Sequence, residues 1–298
     1  MDTSKKVTRK KHPRGMEGPI IQSLRTLFRT VGPIAPGLMS ALAYKLWFTP
    51  RRYRRPLWEL NLAATADETY VIDAKGIKVP VWAWGQGPTV LLVHGWEGRG
   101  TQLGSFVAPL NARGYRVVCF DAPAHGNAAG KTTDAVEMHT IIDAIAAREK
   151  GLHGVISHSF GAIPASFAMR GGLKLDRAVF ISPPSELGAM LTIFQRELAI
   201  PEKVMTRLKT RVERRFPDHG SRLWQEFSTH ASARHFNMPG MVVHDRGDAI
   251  VPISQGRLVA NSWQSVQHME TEGLGHRKIL LDPGVVEQVT LFLDPLVK

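Results

Sequence analysis

The sequence contains almost no cysteine and none of the common metal-binding motifs. Cys119 is the only cysteine in 298 residues, which excludes an internal disulfide framework, a multi-cysteine zinc site and an iron–sulfur cluster. HExxH, HxHxD and CxxC do not occur, and the glycine-rich segment HGWEGRG (94–100) lacks the GK[ST] ending of a phosphate-binding loop. We therefore expect neither a metal nor a cofactor.

Long uninterrupted apolar stretches are also missing. Within residues 19–48 the longest stretch without a charge covers 30–44, and two glycines and two prolines interrupt it. A membrane-spanning helix needs about 20 consecutive apolar residues, and a secretory signal needs an unbroken apolar core near the start. We expect neither feature, and we expect a cytoplasmic protein.

Acidic residues are scarce only in the N-terminal part of the sequence. The formal net charge is +12, of which residues 1–55 contribute +11 and residues 56–298 only +1. A nucleic-acid-binding domain carries its basic surface on the folded face that contacts the ligand. The balanced charge of the main body therefore predicts no nucleic-acid partner.

The basic N-terminus divides into two parts. Residues 1–18 are polar and basic, which predicts a disordered tail. Residues 19–64 are predicted to be a helical arm, with an amphipathic helix that ends before the basic run PRRYRR (50–55). Its apolar face is predicted to contain Leu38, Met39, Leu42 and Leu46. Two interpretations remain open: the arm packs on the body, or residues 19–55 contact an anionic membrane at its inner face, with arginines at the head groups.

From residue 65 onward, short apolar runs alternate with helical segments. Two antiparallel strands are predicted at 68–73 and 76–85, with a turn at Lys75-Gly76. Further strands are predicted at 89–95, 115–123, 152–159, 176–184, 241–245 and 265–273. Such alternation predicts an α/β fold, a mostly parallel sheet with helices on both faces. Residues 185–236 have a helical composition and form an insertion.

Several predicted strands end in short motifs that contain serine, histidine or aspartate. In chain order the motifs are HGW (94–96), DAPAHG (121–126), SHSFG (157–161), DAIVP (248–252) and GLGH (273–276). In this order, and at the ends of strands, they resemble the α/β-hydrolase family. The resemblance covers about residues 65–298, and the insertion stands where this family carries a cap.

Ser159 is the candidate nucleophile. A serine that projects from a sharp strand-to-helix turn needs small residues two positions before and after it, and Ser157 and Gly161 meet this need. The family has glycine in place of Ser157, so this turn is slightly more crowded. Ser159 could instead serve only as the N-cap of the following helix.

The resemblance also implies a base and an acid. His276 follows the last strand, where the family has its histidine, whereas strand alternation predicts that the side chain of His158 points away from Ser159. Two aspartates compete for the acid: Asp248 fits the family phrase Asp-x-x-Val-Pro, and Asp245 follows the strand directly. We favour Asp248, which would hold the His276 ring and stabilise its protonated form. His94 and His125 are expected to be structural.

The oxyanion donors implied by the family are the backbone N–H groups of Trp96 and Phe160. We expect a serine hydrolase of the carboxylesterase or lipase type, which cleaves a small-molecule ester or thioester with an apolar acyl part through an acyl-enzyme. Apolar residues of the insertion would roof the acyl site, and the charges of 207–216 would face solvent or, as an alternative, an anionic group of the substrate. An amidase or peptidase with the same triad, or a non-catalytic binding protein on this fold, remain alternatives.

Overall fold

The computed structural model describes residues 18–74 and 76–294, and its centre is one eight-stranded sheet. The strand order across the sheet is β1-β2-β4-β3-β5-β6-β7-β8. The strands are β1 (Glu68–Ala74), β2 (Ile77–Trp84), β3 (Thr89–Val93), β4 (Arg116–Phe120), β5 (Gly154–His158), β6 (Arg177–Ile181), β7 (Gly240–Asp245) and β8 (Val266–Thr271).

The direction of the strands follows their connections. β1 and β2 form an antiparallel hairpin, and β2 pairs antiparallel with β4. The six strands β3 to β8 are parallel and are joined by helical crossovers. The predicted α/β class with a mostly parallel sheet is confirmed. Lys75 of the predicted hairpin turn lies outside the described residues.

Thirteen α-helices surround the sheet in the described part of the chain. They are α1 (Pro19–Val31), α2 (Pro36–Phe48), α3 (Leu57–Ala64), α4 (Val107–Asn111), α5 (Ala135–Arg148), α6 (Ala162–Arg170), α7 (Leu187–Leu198), α8 (Glu202–Arg215), α9 (Leu223–Glu226), α10 (Thr229–Ala233), α11 (Ile253–Ser262), α12 (Gly275–Lys278) and α13 (Pro283–Leu293). Short 3₁₀ helices cover Gly100–Phe106, Ser159–Gly161 and Gly220–Arg222.

The apolar core has two parts, one on each face of the sheet. One face packs against α5 and α6, and its core continues into the insertion and the N-terminal helices. The other face packs against α4 and α13. The central strand β3 is buried along its whole length, which explains its unbroken Val/Leu composition. Because β3 to β8 run in the same direction, their carboxyl ends lie at one edge of the sheet, between the two helical layers.

The N-terminal helices pack on the insertion, which comprises α7 to α10. The guanidinium of Arg25 in α1 donates to the backbone oxygen of Glu197 in α7 at 2.6 Å. In α2, the Trp47 ring lies 5.3 Å from the Phe194 ring, centroid to centroid. The hydroxyl of Ser40 accepts a hydrogen bond from Arg211 of α8 at 3.0 Å. The first two helices and the insertion therefore form one helical layer.

The predicted apolar face of the second helix is partly wrong. Met39 is buried as predicted, Leu42 and Leu46 are half-buried, and Leu38 is exposed. The buried set is instead Met39, Ser40, Ala43 and Phe48. The whole helix is apolar, so periodicity alone does not indicate which side meets the insertion. The predicted disordered tail falls, except for Gly18, outside the described residues.

The charges of 207–216 are only partly solvated. Arg215 pairs with Asp134 at 3.1 Å, and Arg211 binds Ser40. The expectation that this segment simply faces solvent is therefore wrong for these two arginines. Both link the insertion to neighbouring parts of the protein.

Candidate active site

Ser159 occupies a strained turn between β5 and α6. Its φ angle is +53°, in the left-handed region that non-glycine residues rarely adopt. A Cβ atom on Gly161 would lie 2.6 Å from the carbonyl oxygen of His94, so only glycine fits there. Ser157 is buried in β5, opposite Val93. The small residues on both sides of Ser159 thus permit the close packing that fixes the turn against the end of β3.

The structure brings the three predicted triad side chains together. The hydroxyl of Ser159 donates to Nε2 of His276 at 2.9 Å. On the other side of the ring, Nδ1–H of His276 donates to Oδ2 of Asp248 at 2.7 Å. All three residues are buried, although they come from three separate strand ends. This is the geometry that a serine nucleophile, a general base and an orienting carboxylate require.

The two candidate aspartates have different partners. Oδ1 of Asp248 accepts the backbone N–H groups of Ile250 and Val251, which leaves Oδ2 for His276. Asp245 instead accepts hydrogen bonds from the Thr271 hydroxyl and the Leu274 backbone N–H, both at 2.9 Å. Asp248 therefore contacts His276, the candidate base, whereas Asp245 holds the loop that leads to His276.

The surroundings of Asp248 keep it ionised. Burial by itself would raise its pKa, but hydrogen bonds from His244, His276 and the Ile250 N–H outweigh burial and hold the pKa well below its usual range. Oδ2 lies 3.5 Å from Nε2 of the buried His244. A permanently ionised carboxylate is what stabilisation of a protonated His276 requires.

His158 lies beside the triad, contrary to the prediction that it points away. Its Nε2–H donates to the backbone oxygen of His276 at 2.8 Å, and the two rings are 4.7 Å apart. Strand alternation fails here because β5 ends at His158 and the left-handed turn begins at the next residue. Burial and the neighbouring His276 lower the pKa of His158 to about 3, so its ring is neutral.

The loop after β3 carries Trp96 next to Ser159. A Cβ atom on Gly95 would lie 2.9 Å from the Cβ of Ser159, so the loop backbone passes directly beside the candidate nucleophile. The Trp96 ring packs between those of His125 and Phe160, with centroids 5.3 Å away from each. Both candidate oxyanion donors, the N–H groups of Trp96 and Phe160, thus belong to backbone that adjoins Ser159.

His94 and His125 hold this loop, in the structural role predicted for them. Nε2 of His94 accepts the Ala122 N–H at 2.9 Å, and Nε2 of His125 accepts the Glu97 N–H at 2.9 Å. Burial lowers the pKa of His94 to about 4 and that of His125 to about 3. Both rings are therefore neutral and can accept at Nε2.

The basic run at 50–55 binds the body beside this loop, a contact that the sequence analysis missed. Arg51 pairs with Glu97, the residue after Trp96, through two contacts of 2.8 Å. Arg52 donates to the backbone oxygens of Ala124, Ala128 and Gly130. Arg55 is buried and contacts Asp121.

The interpretation that placed these arginines at lipid head groups is therefore wrong for Arg51, Arg52 and Arg55. Their side chains are engaged within the protein. A signal was present in the sequence, because Glu97 is the only acidic residue in the loop HGWEGRG (94–100). Its arginine partner could not be chosen without the structure.

The described residues offer no site for a metal. Residues 18–74 and 76–294 contain no group of three or more histidine, cysteine, aspartate or glutamate side chains that could hold an ion. Cys119 is buried in β4, and burial raises the pKa of its thiol. A thiol in this setting is an unreactive core residue.

A sequence model of the alpha/beta hydrolase family matches residues 90–289, about two thirds of the chain. This match, together with the sheet order and the turn at Ser159, shows that the chain belongs to the alpha/beta hydrolase family. No curated protein sequence matches significantly. The predicted family is confirmed.

Solved structures share the fold at low sequence identity. The esterase RhEst1 from Rhodococcus sp. ECU1013 has a TM-score of 0.58 at 18% identity, covering 77% of this chain and 98% of its own. A bromoperoxidase from Bacillus anthracis scores 0.60 at 16% identity, with coverages of 76% and 99%. A thioesterase domain from the curacin biosynthetic pathway scores 0.54 at 16% identity, with coverages of 76% and 99%.

The helices of the described residues do not span a membrane. None of them is both long enough and apolar enough to cross the hydrocarbon core of a bilayer.

Proposed function

We propose that this alpha/beta hydrolase is a serine hydrolase that cleaves a small-molecule carboxylic ester or thioester through an acyl-enzyme. Ser159 is the nucleophile, His276 the general base and acid, and Asp248 the residue that orients the base. The single observation that carries the proposal is the continuous hydrogen-bond chain from Ser159 Oγ through both His276 nitrogens to Asp248, at 2.9 and 2.7 Å.

In the acylation step, the Ser159 oxygen attacks the ester carbonyl carbon while its proton moves to Nε2 of His276. Asp248 stabilises the imidazolium that forms, since it already accepts the Nδ1 proton. The carbonyl oxygen becomes an oxyanion, which the N–H groups of Trp96 and Phe160 would stabilise. The tetrahedral intermediate collapses, and His276 returns the proton to the departing alcohol or thiol.

Deacylation repeats this chemistry with water as the nucleophile. His276 removes a proton from the water, which attacks the acyl carbon, and the proton then passes to the Ser159 oxygen as the acid leaves.

The Phe160 N–H lies in the first turn after the strained serine, at the positive end of the helical segment.

The substrate class rests on the apolar character of the surroundings. The Trp96 indole is half-buried beside the Phe160 ring, next to the candidate nucleophile. Two of the structurally similar proteins are described as an esterase and a thioesterase domain. The aromatic pair favours an apolar acyl group over a charged one, and the two names favour an ester or thioester bond. The fold also occurs in a bromoperoxidase, so fold likeness does not by itself select the reaction.

A fluorophosphonate probe tests the nucleophile. The wild-type protein should be labelled covalently, and Ser159→Ala should lose labelling because no other hydroxyl is activated by His276. Ser262→Ala is the control, since this serine lies in α11 and donates only to the Leu258 oxygen. Labelling of the Ser159→Ala protein at the wild-type rate would disprove the assignment.

A series of p-nitrophenyl esters then tests the substrate class. For an apolar acyl site, kcat/KM should rise with chain length from acetate to octanoate by about tenfold for every two methylenes that enter the site. A matched p-nitroanilide series separates an esterase from an amidase. Faster cleavage of the anilides would favour the amidase alternative.

A further inference from the structure

An unusual share of the exposed apolar side chains lies near the N-terminus. In the part of the chain that the structure describes, eight of the eleven exposed large apolar residues fall between residues 20 and 60. On α1 and the turn that follows it, Ile20 is 74% exposed, Leu27 is 38% exposed and Ile34 is 84% exposed. A soluble surface normally scatters such side chains singly.

These three residues form one line along the helix. They are spaced by seven, which returns to nearly the same side of an α-helix after two turns. Helical backbone continues past α1, because Gly32 has helical angles and Ala35 N–H still donates to the Val31 oxygen at 2.8 Å. We call Ile20, Leu27 and Ile34 the outer strip.

The outer strip is the uncovered edge of a wider apolar face. Ile21 and Phe28, one position further around the helix, are buried against the insertion layer. Leu24 and Val31 lie between the two rows and are half-buried. The protein therefore covers one side of the apolar face of α1 well and leaves the other side, the outer strip, exposed.

The chain that precedes α1 cannot supply an apolar cover. Residues 1–17 contain six lysines and arginines against two acidic residues, and their only large apolar residues are Met1, Val7 and Met16. This segment joins the helix directly before Pro19 and Ile20, at one end of the outer strip. The sequence thus places a concentrated positive charge next to an exposed apolar line.

A second copy of this chain is a poor partner for the same surface. Residues 1–17, directly before α1, carry a net charge of +4, so two copies that met through α1 would bring two cationic segments together. A partner that is apolar inside and anionic at its surface satisfies both features. A bilayer with anionic head groups has this chemistry.

We propose that α1 docks on an anionic membrane surface, with the outer strip in the apolar boundary and the basic residues 1–17 at the head groups. α1 would lie in the plane of the membrane while its buried row keeps it attached to the insertion. The arginines at 51, 52 and 55 take no part, because they are bound to the body. The proposal is independent of the reaction that the enzyme catalyses.

Flotation of the full-length protein with liposomes tests the proposal. Binding should be strong on vesicles with 30% phosphatidylserine in 50 mM salt and weak on pure phosphatidylcholine. Changing Lys5, Lys6, Lys10 and Lys11 to Gln should weaken binding by about six-hundredfold, because each of the four charges near such a surface contributes about fivefold. High salt should also weaken the binding of the wild-type protein, because it screens these charges.

The apolar part is tested by the triple variant Ile20→Gln, Leu27→Gln, Ile34→Gln, which should lower binding at least tenfold at every salt concentration. The matched control is Leu258→Gln with Leu281→Gln, residues that are 41% and 53% exposed on the main body, and it should bind as the wild type does. Fluorophosphonate labelling and circular dichroism should be unchanged in both.

Three results would overturn the proposal. The first is no flotation of the wild type on anionic vesicles at low salt. The second is equal binding by the triple variant and the wild type. The third is a dimer in light scattering that the triple variant dissociates, which would show that the outer strip is an interface between two copies.

Discussion

Arg51 and Glu97 form a two-point ion pair that joins the N-terminal arm to the loop of Trp96. Nε and Nη2 of Arg51 each lie 2.8 Å from a different oxygen of Glu97. Tyr53 adds a hydrogen bond at 3.3 Å to the same carboxylate. Glu97 has a φ angle of +58°, so this side chain is attached to a strained backbone position directly after the candidate oxyanion donor.

We predict that Arg51→Gln lowers kcat about tenfold and changes KM less than twofold. Loss of a whole oxyanion donor costs about 10²–10³ in kcat, and a loosened loop should cost less than a missing donor. Steady-state kinetics with a p-nitrophenyl ester measure both constants. Arg148→Gln is the control, since Arg148 is similarly exposed and pairs with Glu68 at 2.7 Å, far along the chain from the loop. Equal kcat in both variants would contradict a positioning role for Arg51.

Asp248→Asn should reduce kcat by about 10⁴, whereas Asp245→Asn should reduce it by about tenfold. The amide at 248 would hold His276 in the wrong tautomer and could not stabilise its cation. The change at 245 only weakens the hydrogen bonds to Thr271 and Leu274. The acylation rates of the two variants are compared by stopped-flow kinetics, after circular dichroism has shown that both variants are folded to the same extent. The assignment is reversed if Asp245→Asn proves the more damaging.

The buried histidines should make the protein sensitive to acid. The pKa of His158 is about 3 in the folded protein, against 6.5 as its ordinary value. Above pH 6.5 the ring is neutral in both states, so it contributes nothing to the pH dependence of stability. As the pH falls below 6.5, the unfolded chain binds a proton that the folded chain does not, and stability is lost.

His158→Gln should therefore flatten the pH dependence of unfolding between pH 6.5 and 4.5, by up to about 1.4 kcal/mol per pH unit. Glutamine can still donate to the His276 oxygen. Urea unfolding at a series of pH values measures the slope, and His235→Gln, at an exposed histidine, serves as the comparison. Identical slopes for wild type and His158→Gln would refute the argument.

Phe28→Ala should destabilise the protein by about 3–5 kcal/mol, because a fully buried aromatic ring between α1 and the insertion is removed. Leu27→Ala, the adjacent residue of the outer strip, should cost less than about 1 kcal/mol. Thermal and urea unfolding provide the values. Similar, small losses for both would mean that α1 is not docked as described.

Much of the fold could be predicted because its signals are local. The buried runs of valine and leucine indicate parallel strands covered on both sides, and the alternation with helical segments indicates their order. The turn at Ser159 requires small residues at 157 and 161, which is a local property of the sequence. In the structure, a Cβ atom on Gly161 would lie only 2.6 Å from the carbonyl oxygen of His94. The carboxyl ends of parallel strands meet at one edge of a sheet, so the sequence predicts that Ser159, His276 and an aspartate lie close together.

Other features depend on contacts between distant parts of the chain, which local patterns do not encode. Asp245 and Asp248 are three residues apart and chemically equal. Their separate partners arise only from the way the loop after β7 packs against the loop of His276. His158 faces His276 because the strand stops where the strained turn begins, so alternation does not extend to it.

The sequence by itself determined the class of fold, the order of its elements and which residues could perform the chemistry, since these follow from periodicity, residue size and chain order. Only the tertiary structure decided where the basic arm goes. Arg51 and Glu97 are 46 residues apart, and the predicted apolar face of α2 did not identify its buried side. From the sequence alone, an arginine of the arm could pair with any exposed carboxylate. The packing of the arm on the insertion decides which carboxylate lies within its reach.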